Sequence, residues 1–277
     1  MTNTSYSTLR FDVEHGVGTV TFDNPPLNLV SPEMIEELSQ LVAEVRNDIE
    51  VRVLVFKSAN ADFFIGHADL NLFLQPRNEV PPKANSLNPL QTLLELVRTL
   101  PQATIAMLDG RAVGIGPEFL TSCDMAFASD RSVLMQFEVA MGVLPGATGS
   151  QRLPRLLGRM RALEVILGCD EIPADIAERY GLVNRVIRQA DLPAFVYRLA
   201  RRIATFPGYA IALNKVAVDE ADHLPIHQGL LEEAHTLNQT LVSGEAQRRM
   251  KAFLQMGAQT VEFEKHHFAA ALERLEA

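Results

Sequence analysis

The sequence Asp109-Gly-Arg-Ala-Val-Gly-Ile-Gly-Pro-Glu118 decides how the rest of the chain is interpreted. Residues 104–108, just before it, form a short apolar run, which is typical of a buried strand. Gly114 and Gly116 allow positive φ angles and close backbone approach, and Pro117 suits the first turn of a helix. The free N–H groups at such a strand-to-helix turn favour an anion.

Glycines at a strand-to-helix turn also occur in dinucleotide sites and in phosphate-binding loops. The order Gly110, Gly114, Gly116 does not fit the Gly-x-Gly-x-x-Gly spacing of a dinucleotide site. No lysine follows, as a phosphate-binding P-loop requires. A tight turn without any ligand explains the same residues, and at this point it stays open.

A second turn of the same kind lies earlier in the chain. The sequence Asp62-Phe-Phe-Ile-Gly-His-Ala-Asp-Leu70 follows residues 51–56, another apolar run that predicts a buried strand. Two such turns at neighbouring strand ends would aim two N–H groups at one oxygen. That arrangement is an oxyanion hole, suited to an enolate or a tetrahedral intermediate.

Strands and helices alternate along the first part of the chain. Residues 9–14 and 17–22 alternate in hydrophobicity on either side of His15-Gly16, which predicts a hairpin. Ser31-Pro32 supplies a cap and a first-turn proline for the next helix. This alternation predicts an α/β fold. The other predicted elements are a mobile surface segment at residues 75–90, a helix at 93–100 ended by Pro101, and a strand at 104–108.

The character of the sequence changes after about residue 206. Four helical patterns follow without an intervening strand, at residues 209–218, 230–241, 245–256 and 261–275. We therefore divide the chain into a core of residues 1–206 and an all-helical region of residues 207–277. The apolar stripes of this region need a partner surface, which predicts an oligomer.

Composition limits the kinds of partner. The 277 residues are 47% hydrophobic and 21% charged, which is ordinary for a globular protein. The net charge of -9 disfavours nucleic acid and anionic membranes, so a polyanionic ligand would depend on local groups. Two cysteines, no leader pattern and no apolar run of membrane-spanning length predict a cytoplasmic protein.

Several motifs together resemble the crotonase (enoyl-CoA hydratase/isomerase) family. Residues 64–70 resemble its Phe-x-Ala-Gly-Ala-Asp-Leu, and residues 110–124 its Gly-x-x-x-Gly-Gly-Gly-x-Glu-Leu motif with the following Cys-Asp. Residues 142–153 are similar to its Gly-x-x-Pro-Gly-x-Gly-Gly-x-Gln-Arg-Leu. Residues 174–186 and Pro25-Pro-Leu-Asn-Leu29 match two further stretches. Each motif is weak alone, whereas their order and spacing together are specific.

The resemblance implies an α/β, crotonase-like spiral of ββα turns with a C-terminal all-helical oligomerisation region. It also implies acyl-CoA substrates and no metal or other cofactor, since CoA belongs to the substrate. Carried over by position, the oxyanion donors are the N–H groups of Ala68 and Ile115. The residues expected along the CoA and thioester path are Leu27, Gly66, His67, Ala68, Asp69, Leu70, Asn71 and Gly114.

Glu118 and Glu138 fall where the family's hydratases place two catalytic glutamates. Hydration requires water to lose a proton as it attacks C3 of an enoyl thioester, while C2 gains one. Two nearby carboxyl groups suit both transfers if their pKa values are tuned. The resemblance therefore implies an enoyl-CoA hydratase. A solvated surface charge is the ordinary alternative for a lone glutamate, although the apolar neighbours of Glu138 argue against it.

Three residues depart from the family pattern. His67 stands where glycine is usual, and either faces solvent or contacts the substrate. Ile115 interrupts the usual glycine run, and we expect its side chain to narrow the acyl pocket. Phe137 replaces a proline that often precedes the second glutamate, which changes the surroundings of Glu138.

Other functions stay open. One is an enoyl-CoA isomerase or another enolate-forming enzyme that uses a single glutamate, and another is a non-catalytic acyl-CoA-binding protein. His223, His227 and His235 do not predict a metal site, because Pro225 breaks their spacing and no ligand cluster completes it. The predicted partners are an acyl-CoA substrate and further copies of the chain, as a trimer or hexamer.

Overall fold

The computed structural model describes residues 6–74, 76, 78–272 and 274–275. The strands in this part of the chain are β1 (Leu9–Glu14), β2 (Val17–Phe22), β3 (Val53–Ser58), β4 (Phe63–Ile65), β5 (Ala103–Leu108), β6 (Arg111–Val113), β7 (Met125–Ser129), β8 (Val133–Met135), β9 (Ile172–Pro173) and β10 (Arg185–Ile187). The helices are α1 (Pro32–Arg46), α2 (Pro89–Arg98), α3 (Ile115–Leu120), α4 (Gly149–Leu157), α5 (Arg159–Gly168), α6 (Ala174–Tyr180), α7 (Leu192–Ala204), α8 (Gly208–Asp219), α9 (Ile226–Leu241), α10 (Gly244–Gln255), α11 (Val261–His266) and α12 (Phe268–Leu272).

The strands form two sheets that the chain visits in turn. The larger has the order β1-β2-β3-β5-β7-β10 and the smaller β4-β6-β8-β9. The β1–β2 hairpin and the β8–β9 pair are antiparallel, and the other pairs are parallel. The segments β3–β4, β5–β6 and β7–β8 each give one strand to each sheet before a helix follows. The chain therefore advances as a spiral of ββα turns, which confirms the predicted fold class.

An aromatic cluster joins the two sheets beneath the predicted turns. Phe22, Phe56, Phe64 and Phe119 are buried, with ring centroids 5.0 Å apart for Phe56 and Phe119 and 5.4 Å apart for Phe22 and Phe64. They come from β2, β3, β4 and α3. Since removing one such ring typically costs about 3–5 kcal/mol, the cluster fixes the position of α3 against β4.

Two ion pairs connect the helical tail to the core. The Lys215 ammonium on α8 lies 2.7 Å from the Asp124 carboxylate, which also accepts a 2.7 Å hydrogen bond from the Thr104 N–H. Asp219, at the end of the same helix, lies 2.7 Å from the Arg98 guanidinium on α2. These contacts position α8 across the end of the β5 strand.

Most predicted elements are present, with shifted boundaries. The hairpin and the Ser31-capped helix α1 are confirmed, and the predicted strand at 51–56 begins two residues later. Helix α2 begins at Pro89, within the last two residues of the predicted mobile surface segment, because Asn88 and Gln91 form a capping box. Gln75 and Arg77 of that segment lie outside the described residues.

The predicted last helix, residues 261–275, is wrong as a single element. It divides into α11 and α12 at His267, and residue 273 lies outside the described part. Phe263 and Phe268 both contact Phe253, with ring centroids 5.2 and 5.1 Å away. Residues five apart lie about 140° apart on a regular helix, so one continuous helix cannot direct both rings to the same neighbour. Among the described residues, no helix has the length and apolarity to cross a bilayer.

We predict that Lys215→Met lowers the free energy of unfolding by about 2–3 kcal/mol, because Asp124 loses its cation in a largely enclosed place. The side chains of this pair are 13% and 24% exposed. Arg179→Met is the control, since the Arg179–Asp175 pair is 69% and 63% exposed and should contribute less than about 1 kcal/mol. Urea denaturation measures both, and equal losses would contradict the role given to the Asp124 contact.

Candidate active site

The two predicted turns lie side by side at one edge of the smaller sheet. Strands β4 and β6 are parallel neighbours, with Phe63 opposite Arg111 and Ile65 opposite Ala112. Their carboxyl ends therefore meet, and the next residues of each form a turn. A Cβ atom placed on Gly114 of the second turn would lie 3.5 Å from the Cβ of His67 in the first.

The backbone of the first turn is hydrogen-bonded to Val30 in the manner of a short strand. The Val30 N–H donates to the His67 carbonyl at 2.9 Å, and the Asp69 N–H donates to the Val30 carbonyl at 3.0 Å. Because successive backbone groups of an extended chain point to opposite sides, the Ala68 N–H points away from this pairing. It donates no hydrogen bond within the described part of the chain.

Leu27 and Asn28 stabilise this turn through hydrogen bonds. The Gly66 N–H donates to the Leu27 carbonyl at 2.9 Å, and a Cβ atom on Gly66 would lie only 2.7 Å from the same oxygen. Asn28 is buried with a φ of 53°, and its amide nitrogen lies 2.7 Å from the Ser58 hydroxyl and 3.3 Å from the Phe64 carbonyl. Glycine is therefore needed at position 66 by close approach.

The second turn leaves the Ile115 N–H free in a similar way. Gly114 has a φ of 57° and precedes the first residue of α3. Its N–H donates to the Met135 carbonyl at 2.8 Å, and its carbonyl accepts a hydrogen bond from the buried amide of Gln136. The next N–H, that of Ile115, has no acceptor among the described residues. The two turns thus present one unused N–H each.

Glu118 is buried on α3 and faces the start of α4. Its side chain is 2% exposed, and its Oε1 accepts hydrogen bonds from the N–H groups of Thr148 at 2.7 Å and Gly149 at 2.6 Å. Burial raises the pKa of Glu118 from 4.5 to about 7, and the nearby negative charge of Glu138 adds to that rise. The two hydrogen bonds act against the rise without cancelling it.

Glu138 lies on a short 3₁₀ helix, Glu138–Met141, directly beside Gly114. Its Oε1 would be 3.2 Å from a Cβ atom on Gly114. Its Oε2 is enclosed and has no hydrogen-bond partner among the described residues. Burial raises the pKa of Glu138 as well. The structure therefore brings both predicted glutamates together beside the two unused N–H groups.

The remaining predicted residues extend the site toward the surface. Asp69 caps a 3₁₀ helix, Leu70–Phe73, and its carboxylate accepts from the Asn71 N–H at 2.9 Å and the Asn71 side-chain amide at 2.8 Å. Leu70 is largely exposed. Contact between these residues and CoA stays a prediction.

Two of the three departures from the family pattern touch each other. The His67 ring donates from Nδ1 to the Ala68 carbonyl at 2.8 Å, and its centroid lies 5.6 Å from that of Phe137. The Phe137 ring would come within 2.9 Å of a Cβ atom on Gly114. The side chain of Ile115, by contrast, is buried in the main core.

Residue patterns alone did not reveal the groups that hold Glu118 and Gly114. Thr148 and Gly149 act through backbone N–H groups, and Gln136 acts through an amide whose oxygen has no partner in the described structure. The Gly-rich motif at residues 142–153 was the available signal, since it includes the start of α4 at Gly149. Among the described residues, no group of three His, Cys, Asp or Glu side chains has metal-site geometry. A reaction without a metal or redox cofactor stays a prediction.

This chain belongs to the enoyl-CoA hydratase/isomerase family, whose model matches residues 12–265. It is 30% identical over 244 residues to a short-chain-enoyl-CoA hydratase of Clostridium acetobutylicum, covering 87% of this chain and 92% of that protein. It is 29% identical to a crotonyl-CoA hydratase of Syntrophomonas wolfei, covering 91% and 96%. The crystal structure of an enoyl-CoA hydratase from Bacillus anthracis matches with a TM-score of 0.81 at 27% identity, covering 90% and 97%.

We predict that Glu118→Gln makes the protein less sensitive to rising pH. A pKa raised from 4.5 to about 7 means that the folded state binds the proton more tightly than the unfolded chain. The stability from this proton is complete below about pH 4.5 and is lost as pH rises through about 7, an effect of about 3 kcal/mol.

Denaturation midpoints at about pH 5 and about pH 8, on either side of the raised pKa of about 7, measure this difference. The Glu118→Gln variant should gain stability relative to the wild type at the higher pH. Glu178→Gln, at an exposed position on α6, is the control and should follow the wild type. The same pH dependence in Glu118→Gln and the wild type would show that Glu118 is not the titrating group.

Proposed function

We propose that this protein is an enoyl-CoA hydratase that adds water across the 2,3 double bond of an enoyl-CoA thioester. The observation that carries the proposal is the position of Glu118 and Glu138 beside the unused N–H groups of Ala68 and Ile115. Family membership supports the substrate class, and the names of two relatives support this reaction.

In the proposed mechanism the thioester oxygen accepts hydrogen bonds from the Ala68 and Ile115 N–H groups. These donors withdraw electrons from the conjugated double bond and make C3 electrophilic. As water attacks C3, negative charge accumulates on the thioester oxygen. Losing one donor of such a hole typically costs about 3–4 kcal/mol, so the two N–H groups carry a large part of the rate enhancement.

The two glutamates handle the protons. Water binds between them, and Oε2 of Glu138, which has no hydrogen-bond partner in the described part of the chain, supplies an acceptor for it. One carboxylate removes a proton from the attacking water as the C3–O bond forms. The carboxyl group that holds a proton gives it to C2 as the enolate collapses, so atoms and charge balance. Two carboxyl groups with raised pKa values are suited to share one proton near neutral pH.

An enoyl-CoA isomerase is the second candidate. The observation that favours it is the asymmetry of the pair, because Glu118 Oε1 accepts two hydrogen bonds whereas Glu138 Oε2 has no partner among the described residues. A single carboxylate with one available oxygen is sufficient to move a proton between two carbon atoms of an acyl chain. We further propose that the reaction needs no metal or redox cofactor and that the protein works in the cytoplasm.

We predict that Glu118→Gln and Glu138→Gln each lower kcat for hydration of crotonyl-CoA by about 100- to 10,000-fold, since each loses one proton transfer. The loss of enoyl absorbance measures the rate, and longer enoyl-CoAs extend the test. Glu178→Gln is the control and should keep the wild-type rate. If only one variant loses activity while conversion of 3-enoyl to 2-enoyl thioesters persists, the isomerase is the better description.

We predict a bell-shaped pH profile for kcat/KM, with one limb near pH 7. The pair is active when it holds one proton. At low pH both carboxyl groups are protonated and no base remains, whereas above the Glu118 pKa of about 7 the donor is lost. Because the pair titrates as a unit, the limb belongs to both residues. A profile that is flat from pH 5 to pH 9 (about two units either side of 7) would contradict a shared proton.

We also propose that the helical tail joins copies of this chain in a trimer or a dimer of trimers. Helix α9 carries a stripe of apolar side chains that are 41–79% exposed, which a single chain leaves in water. With 3.6 residues per turn, they fall within about 60° of one face. The stripe consists of Ile226, Leu230, Leu237 and Leu241.

We predict that Leu230→Asp with Leu237→Asp reduces the assembly to a monomer, because two charges are placed in an apolar contact. Sedimentation velocity at micromolar concentration measures the mass. Gln228→Asp with Gln239→Asp adds the same charges to the opposite face of α9 and should leave the assembly intact. A monomeric wild-type protein would remove the basis of this proposal.

A further inference from the structure

A groove of about 780 Å³ lies between α7 and the strands β7 and β10. Its floor includes Phe127, which packs against the α7 side of the larger sheet. The neighbours Ala126 and Ala128 face the other side, where the main core holds Ile115 and Phe119. The groove is therefore separated from Glu118 and Glu138 by the sheet itself.

Four arginines line this groove, namely Arg185, Arg198, Arg201 and Arg202. No acidic side chain of the described residues lines it. Within the described part of the chain, none of the four guanidinium groups has a salt bridge, although arginines elsewhere often pair with carboxylates. Four unpaired positive charges in one groove are unexpected in a protein with a net charge of -9.

Phe195 on α7 holds two of these arginines in place. The guanidinium carbons of Arg198 and Arg185 lie 5.2 and 5.8 Å from the centre of the Phe195 ring. The ring is fixed in turn by an edge contact with Phe127, 5.0 Å between centroids. Because a cation–π contact uses the face of a guanidinium, its N–H edge stays available for an anion.

We propose that this groove binds an oligophosphate ligand of the nucleoside diphosphate class. Guanidinium groups recognise phosphate oxygens in pairs, and four of them exceed the charge of a single phosphate, which is about -2. The volume lies within the range of about 300–1,000 Å³ for small-molecule sites. The apolar floor from Met125, Phe127 and Leu199 accommodates the attached nucleoside. A long polyanion such as nucleic acid is disfavoured by the net negative charge.

Isothermal titration of the full-length protein with ADP, pyrophosphate and adenosine tests the proposal. ADP and pyrophosphate should bind, with affinity that falls as salt is added, and adenosine should not. Arg198→Gln with Arg201→Gln should weaken both by about tenfold or more. Arg185→Gln removes a third charge and should also weaken binding. The three arginines are at exposed positions. Unchanged hydratase kinetics would verify that each variant is folded.

Arg188→Gln is the matched control. This arginine follows β10, is exposed, pairs with Asp191 at 2.6 Å and does not line the groove. It should change affinity by less than about twofold. Equal weakening in Arg188→Gln would indicate diffuse attraction to the surface and would overturn the proposal, as would no binding of ADP to the wild type at millimolar concentration.

ADP also resembles the nucleotide end of CoA, so its binding site needs to be separated from the active site. The titration is repeated with the active site saturated by a 3-hydroxyacyl-CoA. Binding that persists and still depends on Arg198 and Arg201 supports the groove. Binding that disappears would place ADP in the active site and overturn the proposal. Sedimentation of the arginine variants completes the test. If the variants assemble differently from the wild type and no nucleotide binds, the groove is a contact between subunits and the proposal is overturned.

Discussion

The parallel pairing of β4 with β6 is the constraint on which the site depends. These strands have three residues each, and neither would hold its position alone. The buried rings of Phe64 and Phe119 fix the pair against the larger sheet. Once the two carboxyl ends are adjacent, the turns that follow have little freedom. Ala68 and Ile115 become neighbours although 46 residues lie between them in the sequence.

A second constraint is electrostatic and comes from the burial of Glu118. Its carboxylate faces the amino end of α4, where two N–H groups and the helix dipole favour a negative charge. The loss of water around the carboxylate outweighs these favourable contacts, so the pKa of Glu118 still rises to about 7. Neither helix-end stabilisation nor burial alone would produce a carboxyl group that exchanges its proton near neutral pH. The fold combines both in one residue.

Much of this arrangement was predictable from the sequence, and the reasons differ by element. Residues 9–14 alternate between apolar and polar side chains, and Ser31-Pro32 is a strong local start signal, so local patterns were sufficient there. The turns were recognisable by glycines at Gly66 and Gly114, whose positions are imposed by close approach and by a positive φ.

Other features depend on contacts between distant residues and leave no local pattern. The break at His267 follows from the packing of two rings on Phe253, and the start of α2 depended on a capping box inside a segment rich in proline and asparagine. Thr148 and Gly149 hold Glu118 through main-chain atoms, which any residue except proline provides. The pairing of His67 with Phe137 joins two positions 70 residues apart, and the sequence shows each only as a separate departure from the family pattern.

In the proposed site, main-chain groups bind the substrate and side chains transfer the protons. This difference has an evolutionary consequence. The groups proposed to grip the thioester are backbone N–H groups, which single substitutions other than proline do not delete. The groups proposed to move protons are the side chains of Glu118 and Glu138, which one nucleotide change can replace. Proteins encoded by descendants of such a gene would still bind the same class of substrate, while the reaction that they catalyse would change.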